Sequence, residues 1–108
     1  MVYSNQLKTA FAGVPEDMIK TYGAVSREVA AALAEGIRNH TGATLGLGIT
    51  GVAGPTGGTD AKPVGLVFHA LADVSGTEIV ERKFAGDRKR IRRLASQQAL
   101  DMVRRKMM

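Results

Sequence analysis

The sequence predicts an α/β fold in which helices pack on a mixed β-sheet, and three observations carry that expectation. Val29, Leu33 and Ile37 recur at helical spacing between a capping residue, Ser26, and a stop signal, Gly42. Residues 65–73, GLVFHALAD, and 78–84, EIVERKF, read as strands on either side of the turn DVSGT. After Asp87, a third pattern sets Ile91, Leu94, Ala95, Met102 and Val103 on one helical stripe.

Taken in order, residues 1–3 are the tail of a strand. Ser4 or Asn5 then caps a short helix with Leu7 and Phe11 on one face, and Gly13 ends it. Pro15 suits a first helical position, and Glu16 and Asp17 suit the positive end of the helix dipole. That second helix carries Met18, Ile19 and Tyr22 and stops at Gly23. A longer helix runs from Ser26 to about His40. ATLGLGIT is a buried strand leading into a glycine-rich loop. The strands 65–72 and 78–84 form an antiparallel hairpin, and the last helix covers residues 88 to about 106. The element order is β-α-α-α-β-β-β-α.

A chain of 108 residues suffices for one domain with one modest core. It has no cysteine, which removes disulfide and thiol chemistry and suits a reducing cytoplasm. No stretch is apolar enough to span a membrane, and MVYSNQLKTA lacks the core of a signal peptide. His40 and His69 stand apart and make no metal-ligand cluster, so no metal or cofactor is called for.

Two features bear on function. The first is GITGVAGPTGG, with five glycines and one proline in residues 48–58. GLGITG matches the dinucleotide-binding pattern G-x-G-x-x-G, but that pattern needs a helix starting inside it, and Gly54, Pro55, Gly57 and Gly58 forbid one. The phosphate-loop pattern fails as well, because no Gly-Lys-Ser/Thr follows and Lys62 precedes a proline. The loop is either an anion nest of bare backbone N–H groups or a plain connection. The second is charge. The net charge is +5, and RKFAGDRKRIRR, residues 82–93, concentrates it where the last helix begins. Cations oppose the dipole there unless an anion bridges them, and Arg88, next to its cap, is best placed to reach a phosphate. Solvated charge, or contact with nucleic acid, is the other reading, although no stacking aromatics lie among the arginines. Tyr3 and Lys8 flank a strand-to-helix turn that could bring their polar heads together, where a desolvated lysine acts as base or proton relay.

VYSNQLK, GAVSREV, GITGVAGPTGGTDAKPVG and FAGDRKRIR, in this order and spacing, resemble the CinA C-terminal domain family of competence/damage-inducible proteins. The likeness covers essentially the whole chain. It implies a cytoplasmic amidohydrolase of pyridine-nucleotide salvage that converts nicotinamide mononucleotide to nicotinic acid mononucleotide and ammonia. In that family a serine nucleophile works with a tyrosine and a lysine, which match Tyr3 and Lys8 here. Thr50 and Arg88 match substrate-binding positions, and Gly51, Gly54, Pro55, Gly57 and Gly58 complete the mononucleotide site that the likeness implies.

The family's serine lies in a motif close to T-A-E-S-C-T-G-G, which these 108 residues do not contain, and Ser4, Ser26, Ser75 and Ser96 lie in other contexts. Residues 1–108 are therefore expected to be one such domain without its first strand and nucleophile helix. Such a chain is expected to be impaired in catalysis, and the surface and sheet edge left bare are expected to leave it marginally stable alone, self-associating as a homo-oligomer, or in need of a second polypeptide. A non-catalytic nucleotide-binding module is the alternative, followed by a basic nucleic-acid-binding fragment.

Overall fold

One strand, β2 (Leu66–Asp73), is buried along its whole length from Leu66 to Ala72. Its sequence, LVFHALAD, presents apolar side chains on both alternations, so both of its faces need cover. The computed structural model describes residues 16–23, 25–52, 54, 58 and 62–107 and supplies that cover with helices on either side. β2 is central in a sheet of order β1-β2-β3, where β1 is Gly46–Gly51 and β3 is Gly76–Lys83. Both pairings are antiparallel, with Ile49 opposite His69 and His69 opposite Val80. The helices are α1 (Glu16–Tyr22), α2 (Arg27–Thr41) and α3 (Arg88–Met107).

The expected α/β architecture is what the structure shows. The described strands pair antiparallel throughout, while the strand expected at residues 1–3 and the helix expected before Gly13 lie outside the described residues. The hairpin's second strand begins at Gly76, two residues before the expected Glu78, because the ladder runs to the pair Asp73–Gly76 and closes on two turn residues. The Asp73 carboxylate secures that turn by accepting from the Ser75 amide (2.9 Å) and hydroxyl (2.7 Å). The φ of 141° at Gly76 is one that side-chain-bearing residues rarely adopt.

α2 packs on the face formed by Leu66, Phe68, Ala70 and Ala72, which join Ala30 and Ala34 in one buried cluster. Small residues make this approach close. A Cβ at Gly48 would meet the Ala30 carbonyl, and one at Gly46 the Ala34 carbonyl. The first two glycines of the G-x-G-x-x-G match therefore exist for helix–strand packing and belong to β1, not to the loop. α2 is capped as its sequence requires. The Ser26 hydroxyl accepts from the Val29 amide (3.2 Å) and donates to the Gly23 carbonyl (2.9 Å). Gly42 ends the helix in the left-handed region at φ 71°, its N–H reaching the Arg38 carbonyl. On α2's outer side, Val29 and Leu33 bury Ile19 of α1.

The opposite face of β2 meets α3, which buries Ile91, Ala99 and Met102 and half-buries Leu94, Ala95 and Val103. Asp87 caps α3 through its carboxylate on the Arg90 amide at 2.8 Å. At the far end, Lys106 reaches Asp73 across 2.7 Å and ties the helix to the hairpin turn. The hydrogen bonds from Lys106 and Ser75 hold the Asp73 carboxyl well below the usual carboxylate range.

Two substitutions test these packing arguments by urea unfolding. Gly48→Ala is expected to cost about 1–3 kcal/mol, because the added methyl meets backbone atoms that cannot rotate away. Ser26→Ala is expected to cost about 1 kcal/mol, the usual value of a helix cap.

Candidate functional site

The site begins where β1 ends. Past Gly51 the Val52 amide still donates to the Leu66 carbonyl (2.9 Å), and the Gly65 amide returns to the Val52 carbonyl (2.7 Å). Val52, Gly65 and Leu66 therefore form a neck that holds the two ends of the glycine-rich segment together. A further bond, from the Phe84 amide to the Gly65 carbonyl at 2.9 Å, joins that neck to the chain leaving β3. The same chain enters α3 a few residues later, so the loop and the first turn of α3 share one end of the sheet.

Arg88 makes the link directly. Its guanidinium donates to the Gly54 carbonyl at 3.1 Å. Gly54 is buried at φ 80°, and Val64 fills the space a Cβ would need. Gly58 is exposed and lies against the same valine. Two sequence-predicted residues point apart. Thr50 is buried on the sheet face that Gly48 turns to α2, whereas Gly51, next along the strand, lines a hollow under α3. Tyr3, Lys8, Pro55 and Gly57 lie outside the described residues. Among the described residues, no His, Cys, Asp or Glu group is arranged to hold a metal.

Two adjoining depressions flank this junction. One, of about 120 Å³, lies between the sheet and α3 and is lined mainly by Ile49, Gly51, Val67, Ile91 and Ala95. The other is an open groove of about 460 Å³ lined by Arg88, Lys89, Arg92, Arg93 and Ser96. Among the described residues no carboxylate pairs with any of those four cations. The opposite end of α3 differs. There Asp101 binds Arg104 and Arg105, each at 2.7 Å, and Lys106 binds Asp73. The first turn of α3 has no acidic residue of its own, and the Asp87 cap carboxylate stands beside Arg88 and Lys89 at the positive end of the dipole.

Residue-by-residue reading missed His69, set aside as no metal ligand. It is fully buried on β2, and its Nε2 lies 2.9 Å from the Ala95 carbonyl of α3. A carbonyl only accepts, so Nε2 carries the proton, and among the described residues Nδ1 is buried with no hydrogen-bond partner. Phe84 packs edge-on against the ring at 6.4 Å. Burial pushes the ring's pKa below its ordinary 6.5, overriding the neighbouring Ala95 and Val80 backbone, and Arg82 adds to the lowering. The available signal was a lone histidine amid seven mostly apolar strand residues, which marks a buried ring needing a carbonyl.

Geometry defines the class first: an α/β domain whose strand-end glycine loop is fastened by an arginine to the head of a basic helix, an arrangement suited to holding an anion. The family model of the CinA C-terminal domain matches residues 1–107, and the chain belongs to that family. A CinA-like protein of Koribacter versatilis is 64% identical over 107 residues, covering 99% of this chain and 26% of the relative. A putative competence-damage inducible protein of Acetivibrio thermocellus is 51% identical over 98% of this chain, again 26% of its own length. Among solved structures, the competence/damage inducible protein CihA of Agrobacterium tumefaciens superposes with a TM-score of 0.91 at 36% identity, over 94% of this chain and 63% of that one. A CinA superfamily protein of Escherichia coli gives 0.89 at 33% identity, over 94% and 59%. The chain thus spans about a quarter of the curated relatives and about three fifths of the solved chains.

His69 sets a pH dependence with a definite sign. Its folded-state pKa is depressed, so the unfolded chain takes up the proton first as the pH falls. The histidine's contribution is complete above its unfolded value and is lost as the pH drops below about 6.5. The thermal midpoint is expected to fall between pH 7.5 and 5, and His69→Phe to flatten that fall, as followed by circular dichroism.

Proposed function

We propose that this chain is the substrate-binding part of an amidohydrolase acting on nicotinamide mononucleotide, with nicotinic acid mononucleotide and ammonia as products. The observation that carries the reading is the 3.1 Å bond from Arg88 to the Gly54 carbonyl. It joins two features that suit a phosphate, a glycine loop and a cationic helix start, in a chain that belongs to the CinA C-terminal domain family.

Hydrolysis of a carboxamide requires a nucleophile, a base and donors for the tetrahedral oxyanion. In the proposed reaction a serine oxygen attacks the carboxamide carbon, the C–N bond breaks, and nitrogen leaves as ammonia after gaining a proton. Water then cleaves the ester and releases the acid. Lys8 serves as base and proton relay, and Tyr3 orients or shares that proton. Arg88 holds the phosphate with its N–H groups not engaged by Gly54, and residues 50–58 make up the rest of the mononucleotide site. The serine comes from the family's T-A-E-S-C-T-G-G segment, outside these 108 residues. By itself the chain binds the mononucleotide and turns it over poorly.

Ammonia release tests the reading. Supplying the serine-bearing segment, in front of residue 1 or as a separate polypeptide, is expected to raise release at least ~100-fold over the chain alone. A folded longer polypeptide that binds the mononucleotide yet releases no ammonia would leave a binding module instead. Arg88→Ala is expected to weaken mononucleotide binding about 10- to 100-fold by calorimetry, the worth of one charge-assisted hydrogen bond.

A further inference from the structure

The Gly54 carbonyl can serve Arg88 only if the chain around it stays in place, and residues 62–65 supply a support on the returning side. The Lys62 ammonium donates to the Tyr22 carbonyl, forty positions earlier. Tyr22 is the last residue of α1, and the last carbonyls of a helix have no intrahelical donor, so a lysine suits them. Gly23, at φ 84°, makes room for it, since a Cβ there would stand 2.7 Å from the Lys62 Nζ. The anchor is itself fixed. The Gly23 amide donates to the Ile19 carbonyl and the Ser26 hydroxyl to the Gly23 carbonyl, while Ile19 is buried with Val29 and Leu33 of α2.

From Lys62 the support reaches Gly54 through Val64. The Leu66 amide donates to the Pro63 carbonyl at 3.1 Å and closes a four-residue turn, with Gly65 at φ 98° in its third position, where a positive φ favours glycine. Val64 sits in that turn and meets the outgoing loop. A Cβ at Gly54 would strike its methyl groups, and one at Gly58 would strike a methyl and the Val64 amide nitrogen, so one side chain seats both glycines. We infer that Lys62 is a positioning residue for the Arg88–Gly54 contact. It ties the Pro63–Leu66 turn to the end of α1, Val64 on that turn seats Gly54, and the Gly54 carbonyl then orients the Arg88 guanidinium. Lys62 acts through these residues and not by touching a ligand. Groups fixed before a ligand arrives need less ordering when it binds. The consequence for binding rests on the mononucleotide reading, whereas the tie itself does not.

Two measurements on the 108-residue chain test it. The first follows the NMR signal of the isotope-labelled Gly54 carbonyl carbon without ligand, and Arg88→Ala gives the displacement that loss of the bond produces. Lys62→Met is expected to move the signal in the same direction and at least half as far, with an unchanged thermal midpoint. Lys62→Arg, which can still donate to the Tyr22 carbonyl, is expected to leave it near the wild-type position. The second is calorimetry with nicotinamide mononucleotide. Lys62→Met is expected to weaken binding about 10-fold, and in the double variant with Arg88→Ala to add nothing to the loss from Arg88→Ala alone, because both changes act at one contact. An unmoved Gly54 signal in Lys62→Met overturns the inference. Additive losses in the double variant also overturn it, because they make Lys62 a ligand contact of its own. So does a lowered midpoint with signals displaced throughout the chain, which makes the bond a support of the whole fold. A wild-type chain that binds no mononucleotide overturns the proposed function instead, and the Gly54 signal still decides this inference.

Discussion

The close seating of α2 on the sheet is the constraint from which the other arrangements follow. Ala30 and Ala34 on the helix face Gly46 and Gly48 on β1, so backbone approaches backbone with no side chain between. Close packing of this kind makes each added atom costly. It fixes β1 in direction and height, and β1 in turn delivers the glycine loop to the end of the sheet where α3 starts. Residues that look like a nucleotide fingerprint are thus divided between two tasks. The early glycines serve packing, and Gly54 serves a turn whose carbonyl an arginine can reach.

α3 is held to the rest of the molecule by polar contacts spread along its length. Arg88 binds the glycine loop at one end, the Ala95 carbonyl takes the His69 ring in the middle, and Lys106 grips the hairpin turn at the other end. Ile91, Ala99 and Met102 supply the apolar contact between these points. The contacts differ in character. The His69 bond is buried and favours the neutral ring, whereas the Lys106–Asp73 pair lies nearer solvent and is correspondingly modest in worth.

The helix also separates its charges by task. Near the C-terminus, Asp101 pairs with both Arg104 and Arg105 and Asp73 with Lys106, cations that already suit the negative end of the dipole. Near the N-terminus Arg88, Lys89, Arg92 and Arg93 have no such partners among the described residues and oppose the dipole. The Asp87 carboxylate, which caps the helix, stands at that same end.

Most local structure was legible in the sequence. The Ser26 and Asp87 caps, the Gly42 stop, the apolar stripe of α3 and the hairpin depend on neighbours a few residues away, and spacing alone reveals them. Spacing also singled out Arg88 as a residue beside a cap. Only the tertiary structure decided that Arg88 reaches Gly54, thirty-four positions earlier, that Thr50 and Gly51 serve opposite faces of the sheet, and that His69 is a buried bond to α3. Those facts depend on strand register and on which helix covers which face. A one-residue slip of β1 would exchange the faces of Thr50 and Gly51, and no pattern within one element specifies its register against another.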